Sequence, residues 1–295
     1  MPPVFARLTC GSAARRIAAP PAEFSGPGTA IPTPAPPLDT TLPPTFLVVP
    51  CFNEAKRLDG RAFLQLAALA RVELLFVDDG STDTTAQVLQ GICCASNGIA
   101  QTLTLSANVG KGEAVRQGLR TALARGAAVV GFVDADLSTP AGEIMRLVEL
   151  LHAEPQVQVL LGSRIRLLGN SVERHPVRHY LGRAFATAAS LVLALPVYDT
   201  QCGAKLFRCS PQLDAALAES FVSRWIFDVE LLGRLVHGSP EVPGLPREAF
   251  REVPLLAWRD VAGSKLRTGH FLQAIGELAA IERRLRARRQ GRTRG

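Results

Sequence analysis

Short apolar runs separated by stretches of helical periodicity constrain this chain more than any other feature. The runs are Phe46 to Pro50, Val72 to Val77, Gln101 to Leu105, Ala128 to Val133 and Val157 to Leu161. Each is too short for a buried helix and is bounded by turn-forming residues, which marks strands. Between them, 55–69, 82–96, 111–125 and 140–152 carry apolar residues at helical spacing. In the third of these, Ala114, Val115, Leu119 and Leu123 follow Gly110-Lys-Gly112. Ser81 or Thr82 is expected to cap the second helix, and Ser138 or Thr139 before Pro140 the fourth. Strand–helix alternation with strands apolar on both faces predicts an α/β fold, a doubly wound and mostly parallel sheet. Such sheets bind ligands at the carboxyl ends of their strands.

Those ends are polar. In chain order they read Pro50-Cys-Phe-Asn-Glu54, Asp78-Asp-Gly-Ser-Thr-Asp83, Asn108-Val-Gly-Lys-Gly112, Asp134-Ala-Asp136 and Gly162-Ser-Arg164. One acid after one strand is usually a helix cap. Five polar clusters at five successive strand ends exceed what capping needs, and gathered carboxylates repel unless a cation lies between them. In extended geometry alternate side chains point the same way. Asp134 and Asp136 are therefore expected to face one ligand, with Mg2+ or Mn2+ bound together with phosphates. Lys111 between two glycines lacks the Walker spacing and is read as part of a structural loop near this edge.

Four of these clusters, in this order over about 46–165, resemble the signature of family-2 glycosyltransferases with the GT-A fold. The later runs Asp199-Thr-Gln-Cys-Gly-Ala-Lys-Leu-Phe207, Trp225-Ile-Phe-Asp-Val-Glu230 and Gly263-Ser-Lys-Leu266 are similar to its dolichyl-phosphate β-glucosyltransferase branch. The resemblance implies a Rossmann-like nucleotide-binding half with acceptor-side C-terminal elements. It implies inverting, metal-dependent transfer of a hexose, glucose from UDP-glucose, to a dolichyl or polyprenyl phosphate. By the same resemblance Pro50, Phe52 and Glu54 match positions that hold the base and ribose, and Val77 and Asp79 the base. Asp134 matches the ribose–metal contact and Asp136 the direct metal ligand, with Ala135 between them. Arg164 and Lys205 match basic positions near the phosphates, and Asp228 an acceptor-side acid. Phe52 stands where the family commonly has Tyr, so a ring remains for stacking but a hydroxyl is lost. Alternatives are a GDP-mannose donor, a hydroxyl acceptor with Asp228 or Glu230 as base, or a sugar-nucleotide nucleotidyltransferase. The last would carry a Gly-rich basic loop where Cys51 to Glu54 stand.

Charge is distributed unevenly. The formal net charge is +7. From Lys265 onward nine basic residues face only Glu277 and Glu282, so this segment alone accounts for the excess. The neutral remainder argues against a nucleic-acid binder. A helix is expected over 270–289, with Phe271, Leu272, Ile275, Leu278, Ile281 and Leu285 at helical spacing. Its terminal arginines suit either the helix dipole or anionic lipid headgroups. Arg178 and Arg183 precede the weakly polar stretch Ala184 to Val197 and are candidates for gripping an acceptor phosphate at a membrane interface. No apolar run reaches the 18 or so residues of a spanning helix. A peripheral position at the cytoplasmic face of a membrane is expected. Three segments follow: a Pro-rich disordered extension over 1–44, which holds 11 of the 21 prolines, the transferase domain over 45–268, and a basic amphipathic helix and tail over 269–295. The six cysteines form no metal-type pair and read as reduced thiols.

Overall fold

The computed structural model describes residues 44–172, 176–259 and 270–292. The first half alternates β1 (Thr45–Cys51), α1 (Gly60–Ala70), β2 (Glu73–Asp78), α2 (Thr85–Ala95), β3 (Ala100–Thr104), α3 (Lys111–Ala124), β4 (Val129–Val133), α4 (Ala141–Ala153) and β5 (Val159–Ser163). The second half adds β6 (Ser171–Val172), α5 (Pro176–Leu193), β7 (Ala204–Arg208), α6 (Pro211–Leu217) and α7 (Phe227–His237). It ends with β8 (Phe250–Pro254), β9 (Ala257–Trp258) and α8 (His270–Arg292).

Seven strands form one sheet in the order β3-β2-β1-β4-β7-β5-β8, and β6 pairs with β9 separately. All pairings in the large sheet are parallel except those of β7, which runs antiparallel to β4 and β5. The expected α/β sheet, doubly wound and mostly parallel, is therefore present. The strand order reverses beside β1, between β2 and β4, which is where such sheets hold ligands. β7 was not legible as a strand. Its direction matters, because it brings its amino-terminal residues, Ala204 and Lys205, level with Val133 and Phe132 at the carboxyl end of β4.

Alternate residues of each strand feed two core layers. Phe46, Val48, Leu75 and Val77 pack with α3, α5, α6, α7 and α8. Leu47, Val49, Leu74 and Phe76 pack with α1, α2 and α4 on the other face. Each such side chain contributes about 1.5–3 kcal/mol on burial, and this two-sided burial fixes the register of the sheet. α8 belongs to the first layer through Leu278, Ile281 and Leu285, with Leu285 seated on Gly233 of α7. The positive C-terminal helix is thus part of the packed body.

Several local expectations shift. α1 begins at Gly60 rather than near 55, because Asp59 accepts from the Ala62 N–H and caps it there. The preceding residues form a turn in which the Glu54 carbonyl accepts from the Arg57 and Leu58 N–H groups. Neither Ser81 nor Thr82 caps α2. The Ser81 hydroxyl accepts from the Asn53 N–H, and Thr82 donates to the Asn53 side chain. Neither Ser138 nor Thr139 caps α4, since the Ser138 hydroxyl donates to Asp136 instead. Asn53 of the loop after β1 outcompetes the cap in the first case, and Asp136 of Ser138's own loop does so in the second. The extension 1–43, the run 263–266 and Arg174 and His175 lie outside the described residues, as does the side chain of Arg178.

Candidate active site

The ends of β1, β2 and β4 are stitched to one another and to the loop after β3. Asn53, in the left-handed region at φ 52, turns its side-chain oxygen to the N–H groups of Thr82 and Asp83 at 2.8 and 3.3 Å. This joins the loop after β1 to the loop after β2. Asp79 is buried, and its N–H donates to the Cys51 carbonyl at 2.8 Å. Its carboxylate accepts from Asn108 Nδ2 and from the N–H groups of Val109 and Gly110, at 3.0, 2.7 and 2.9 Å. Gly80 makes this approach possible. It has a positive φ of 66° and lies directly against the Ala107–Asn108 backbone, where a Cβ would not fit. The structure therefore gives Asp79 the job of folding the 108–110 loop.

Asp134 and Asp136 follow β4 in a turn, closed by the Leu137 N–H on the Asp134 carbonyl at 3.2 Å. The expected extended geometry is absent, yet both carboxylates still reach one region, because Arg57 and Lys111 feel the charge of both. Lys111 Nζ lies 2.5 Å from Asp134 Oδ1. Asp136 Oδ1 accepts from the Ser138 N–H and hydroxyl at 3.0 and 2.6 Å, and its Oδ2 lies 3.8 Å from the Arg57 guanidinium. Arg57 in turn forks onto Glu54 at 2.6 and 2.5 Å. Side-chain exposures separate the charges that a ligand can meet: 33% for Asp134, 28% for Lys111, 23% for Arg57 and 19% for Asp136.

Beneath them lies a closed pair. Lys205 is fully buried, with Nζ 2.6 Å from Asp228 Oδ1 and donating to the Cys202 carbonyl at 2.5 Å. Burial pushes the Asp228 carboxyl above its ordinary value, against the pull of Lys205 and Lys111. Burial would also raise Asp134, but Lys111, Lys205 and Arg164 outweigh it and hold that carboxyl below its ordinary value. Asp134 is thus ionised and ready to accept a cation. Opposite it stands Gly203, where a Cβ would overlap the carboxylate.

Two acids on one turn, open to solvent and facing a glycine, suit a hard divalent cation that arrives with phosphates. Mg2+ commonly takes one or two carboxylates and completes its shell from phosphate and water. Among the described residues no group of three or more His, Cys, Asp or Glu forms a protein-only cage. The donor set fits a shared metal and does not fit a structural one.

The other expected residues divide. Phe52 is half-buried beside Asn53, whereas Glu54 is buried in its pair with Arg57. Pro50 and Ala135 sit at the same edge. Val77 is fully buried in the core, where it packs against α3. Arg164 forks onto Asp199 at 2.7 and 2.8 Å. Arg183 lies over the Tyr198 ring and donates to the Tyr198 carbonyl at 3.1 Å. Glu230 is fully buried, paired with Arg234 at 2.7 Å, so it cannot serve as an exposed base. Sequence reasoning missed Arg57, which falls inside the expected helix 55–69, and undervalued Lys111. Arg57 stands three residues after the polar end Pro50 to Glu54, and Lys111 stands inside the polar cluster 108–112.

A family model described as glycosyl transferase family 2 matches residues 46–212. A dolichyl-phosphate beta-glucosyltransferase of Saccharomyces cerevisiae is 30% identical over 244 residues, covering 75% of this chain and 68% of that one. The human protein of that name is 30% identical over 239 residues, with the same coverage. A polyprenol monophosphomannose synthase of Mycolicibacterium smegmatis is 26% identical, over 80% of this chain and 85% of that one. Among solved structures, glucosyl-3-phosphoglycerate synthase from Mycobacterium tuberculosis, in complex with Mn2+, UDP-glucose and phosphoglyceric acid, superposes with a TM-score of 0.59. It is 21% identical and covers 82% of this chain and 81% of that one, a likeness of fold. The fold is GT-A, and the chain is a glycosyltransferase that belongs to glycosyl transferase family 2.

Proposed function

We propose that this enzyme transfers glucose from UDP-glucose to a dolichyl or polyprenyl phosphate, with inversion at the anomeric carbon and with Mg2+ or Mn2+ bound. The observation that carries the reading is the solvent-open set Asp134, Asp136, Lys111 and Arg57 at the strand-order reversal. It offers two carboxylates and two cations to one diphosphate. The names of the relatives at about 30% identity support the choice of sugar and acceptor.

In this reading Phe52 stacks on the base, with Pro50 and Glu54 shaping its slot and Asp79 holding the 108–110 loop beside it. Asp134 and Asp136 would hold the metal, which supplies charge neutralisation to the leaving diphosphate. Lys111 and Arg57 add fixed positive charge at the same place, with Lys205 and Arg164 behind them. An acceptor phosphate oxygen approaches the anomeric carbon from the face opposite the diphosphate. The new C–O bond forms as the old one breaks, its electron pair leaves on UDP, and the configuration inverts. A phosphate nucleophile is already ionised and needs positioning rather than a base. Asp228 is committed to Lys205, which favours this acceptor over a hydroxyl. Arg178 and Arg183 on α5 are proposed to receive the acceptor phosphate.

A peripheral contact with the cytoplasmic face of a membrane belongs to the same proposal. No described helix is long and apolar enough to cross a membrane. Leu167, Leu168, Leu191 and Trp225 are exposed and could enter the headgroup region. The test is a donor panel of UDP-glucose, UDP-galactose, UDP-N-acetylglucosamine and GDP-mannose with a polyprenyl phosphate, with and without EDTA. Metal-dependent glucosyl transfer is expected. Preference for GDP-mannose replaces the donor, and transfer unaffected by chelation refutes the metal assignment.

A further inference from the structure

The C-terminal helix is connected to the donor site through the segment 219–226, which makes polar contacts with both. Arg284 of α8 reaches Glu219 at 2.7 Å and the Ser220 carbonyl at 3.1 Å, and Arg288 reaches Glu219 at 3.0 Å. Glu277 of α8 accepts from the Ser223 hydroxyl at 2.5 Å. That hydroxyl oxygen in turn accepts from the N–H groups of Trp225 and Ile226 at 3.1 and 2.8 Å, shaping the entry to α7. From underneath, buried Glu230 accepts from the Val222 N–H at 2.7 Å, and Arg234 donates to the carbonyls of Glu219 and Ser220. The segment is therefore held from α7 and α8 together.

Its far side touches the loop that Asp79 organises. The Arg224 carbonyl accepts from the Gly112 N–H at 3.0 Å. The Arg224 guanidinium donates to the Asn108 carbonyl at 3.2 Å and to the Asn108 side-chain oxygen. Asn108 passes the contact on to Asp79, and Gly112 neighbours Lys111. The exposed Arg224 thus ties the base-side loop and the start of α3 to the same anchor.

We infer that α8 is a brace for the donor site, in which Glu277, acting through Ser223 and Arg224, is a positioning residue for nucleotide binding. The inference rests on the nucleotide-sugar reading above. It assigns the basic C-terminal helix a task inside the enzyme, since Arg284 and Arg288 spend their charge on Glu219. Without the brace, the 108–112 loop keeps its Asp79 contacts but loses the outer support that restricts its opening.

Two readouts in full-length protein separate the brace from the reading it rests on. The first is hydrogen exchange at the Val109 and Gly110 amides, whose bonds to Asp79 report loop opening without any ligand. The second is UDP affinity by calorimetry with Mn2+ present. Glu277→Ala and Arg224→Ala are expected to speed exchange at both amides. They are also expected to weaken UDP binding by about 2- to 30-fold, the usual range of coupling between linked sites, with thermal midpoints near wild type. Glu277→Gln retains an acceptor for Ser223 and is expected to restore both. Wild-type exchange at Val109 and Gly110 in both alanine variants overturns the brace, and so does accelerated exchange with unchanged UDP affinity. Where the wild-type protein itself binds neither UDP nor GDP, accelerated exchange in the alanine variants keeps the brace of the 108–112 loop and overturns the nucleotide-donor reading.

Discussion

Replacing Gly203 with alanine probes the site through a contact that no strand-end motif reveals. Gly203 does not occupy a positive-φ conformation, so alanine's backbone preferences are satisfied. The obstruction is spatial: all three outer atoms of the Asp134 carboxylate lie within 2.8 Å of where the new Cβ would stand. Ordinary contact begins near 3.4 Å, so the carboxylate must retreat by on the order of 1 Å, with loss of its alignment to Lys111 and to the donor. Displacement of that size costs about 100-fold in rate, or about 2.7 kcal/mol of barrier. The clashing group is the end of a short, partly exposed side chain, so the fold absorbs it by rotating Asp134. The expected stability loss is about 1–2 kcal/mol, the lower part of the overpacking range, which is about 2–4 °C in a domain of this size. Single-turnover glucosyl transfer, UDP affinity with Mn2+ and a thermal melt on the same preparation decide the matter. Turnover within about twofold of wild type would refute the placement of Asp134 at the reacting diphosphate, since a shift of about 1 Å cannot be catalytically silent there. A collapsed melting temperature would refute the claim that Gly203 serves the site rather than the core.

Two further predictions follow from burial. Lys205→Met leaves Asp228 as an uncompensated buried charge and is expected to cost about 3–5 kcal/mol in urea unfolding, whereas the double variant Lys205→Met, Asp228→Leu recovers most of it. A double variant no more stable than the single one would show that the pair is not the source of the loss. His152 is partly buried at the end of α4 beside Thr45, and burial, reinforced by Arg208, lowers its pKa below the ordinary 6.5. The unfolded chain then binds more protons at this residue near and below pH 6.5, so stability rises with pH through that window and is lost on acidification, by at most about 1.4 kcal/mol per pH unit. His152→Gln should flatten this part of the stability–pH curve, and an unchanged slope from denaturant melts between pH 5 and 7 would remove His152 as its cause.

The legible part of the fold was the part governed by local pattern. Runs such as Phe46 to Pro50 and Val72 to Val77 declare themselves because a strand covered on both faces must be apolar along its length. The helices α2, α3 and α4 declare themselves by period. The start of α1 was misplaced because Asp59, not the apolar spacing, sets it. β7 escaped because Ala204 to Arg208 is polar at Lys205, a residue that tolerates full burial only because Asp228 arrives from α7. The caps failed for a related reason. Ser81, Thr82 and Ser138 are good local caps, but Asn53 and Asp136 take up their hydrogen-bonding groups.

The candidate site shows the same division. Asp134 and Asp136 were visible because two acids after a buried strand are conspicuous in one dimension. Lys111 and Arg57 were not, because a lysine between glycines and an arginine on an amphipathic stretch look ordinary until the sheet brings them within 2.5 and 3.8 Å of those acids. Val77 shows the converse, a residue beside a polar motif whose side chain the sheet turns into the core.

By itself the sequence determined the α/β class, the strand ends that carry chemistry, the two acids and the family. Those follow from hydrophobic period and from residue types at short range. Only the tertiary structure decided which charges are open and which are closed. It set Lys111 and Arg57 toward solvent beside Asp134 and Asp136, and sealed Lys205 with Asp228 beneath them. It also decided the meaning of the positive charge at the C-terminus. Those arginines read as a free basic tail in one dimension, because the acids that receive two of them, Glu219 and Glu230, lie more than 50 residues away in sequence. Leu278, Ile281 and Leu285 bring α8 onto α7, and the pairing energy becomes available only after that packing has brought the charges together.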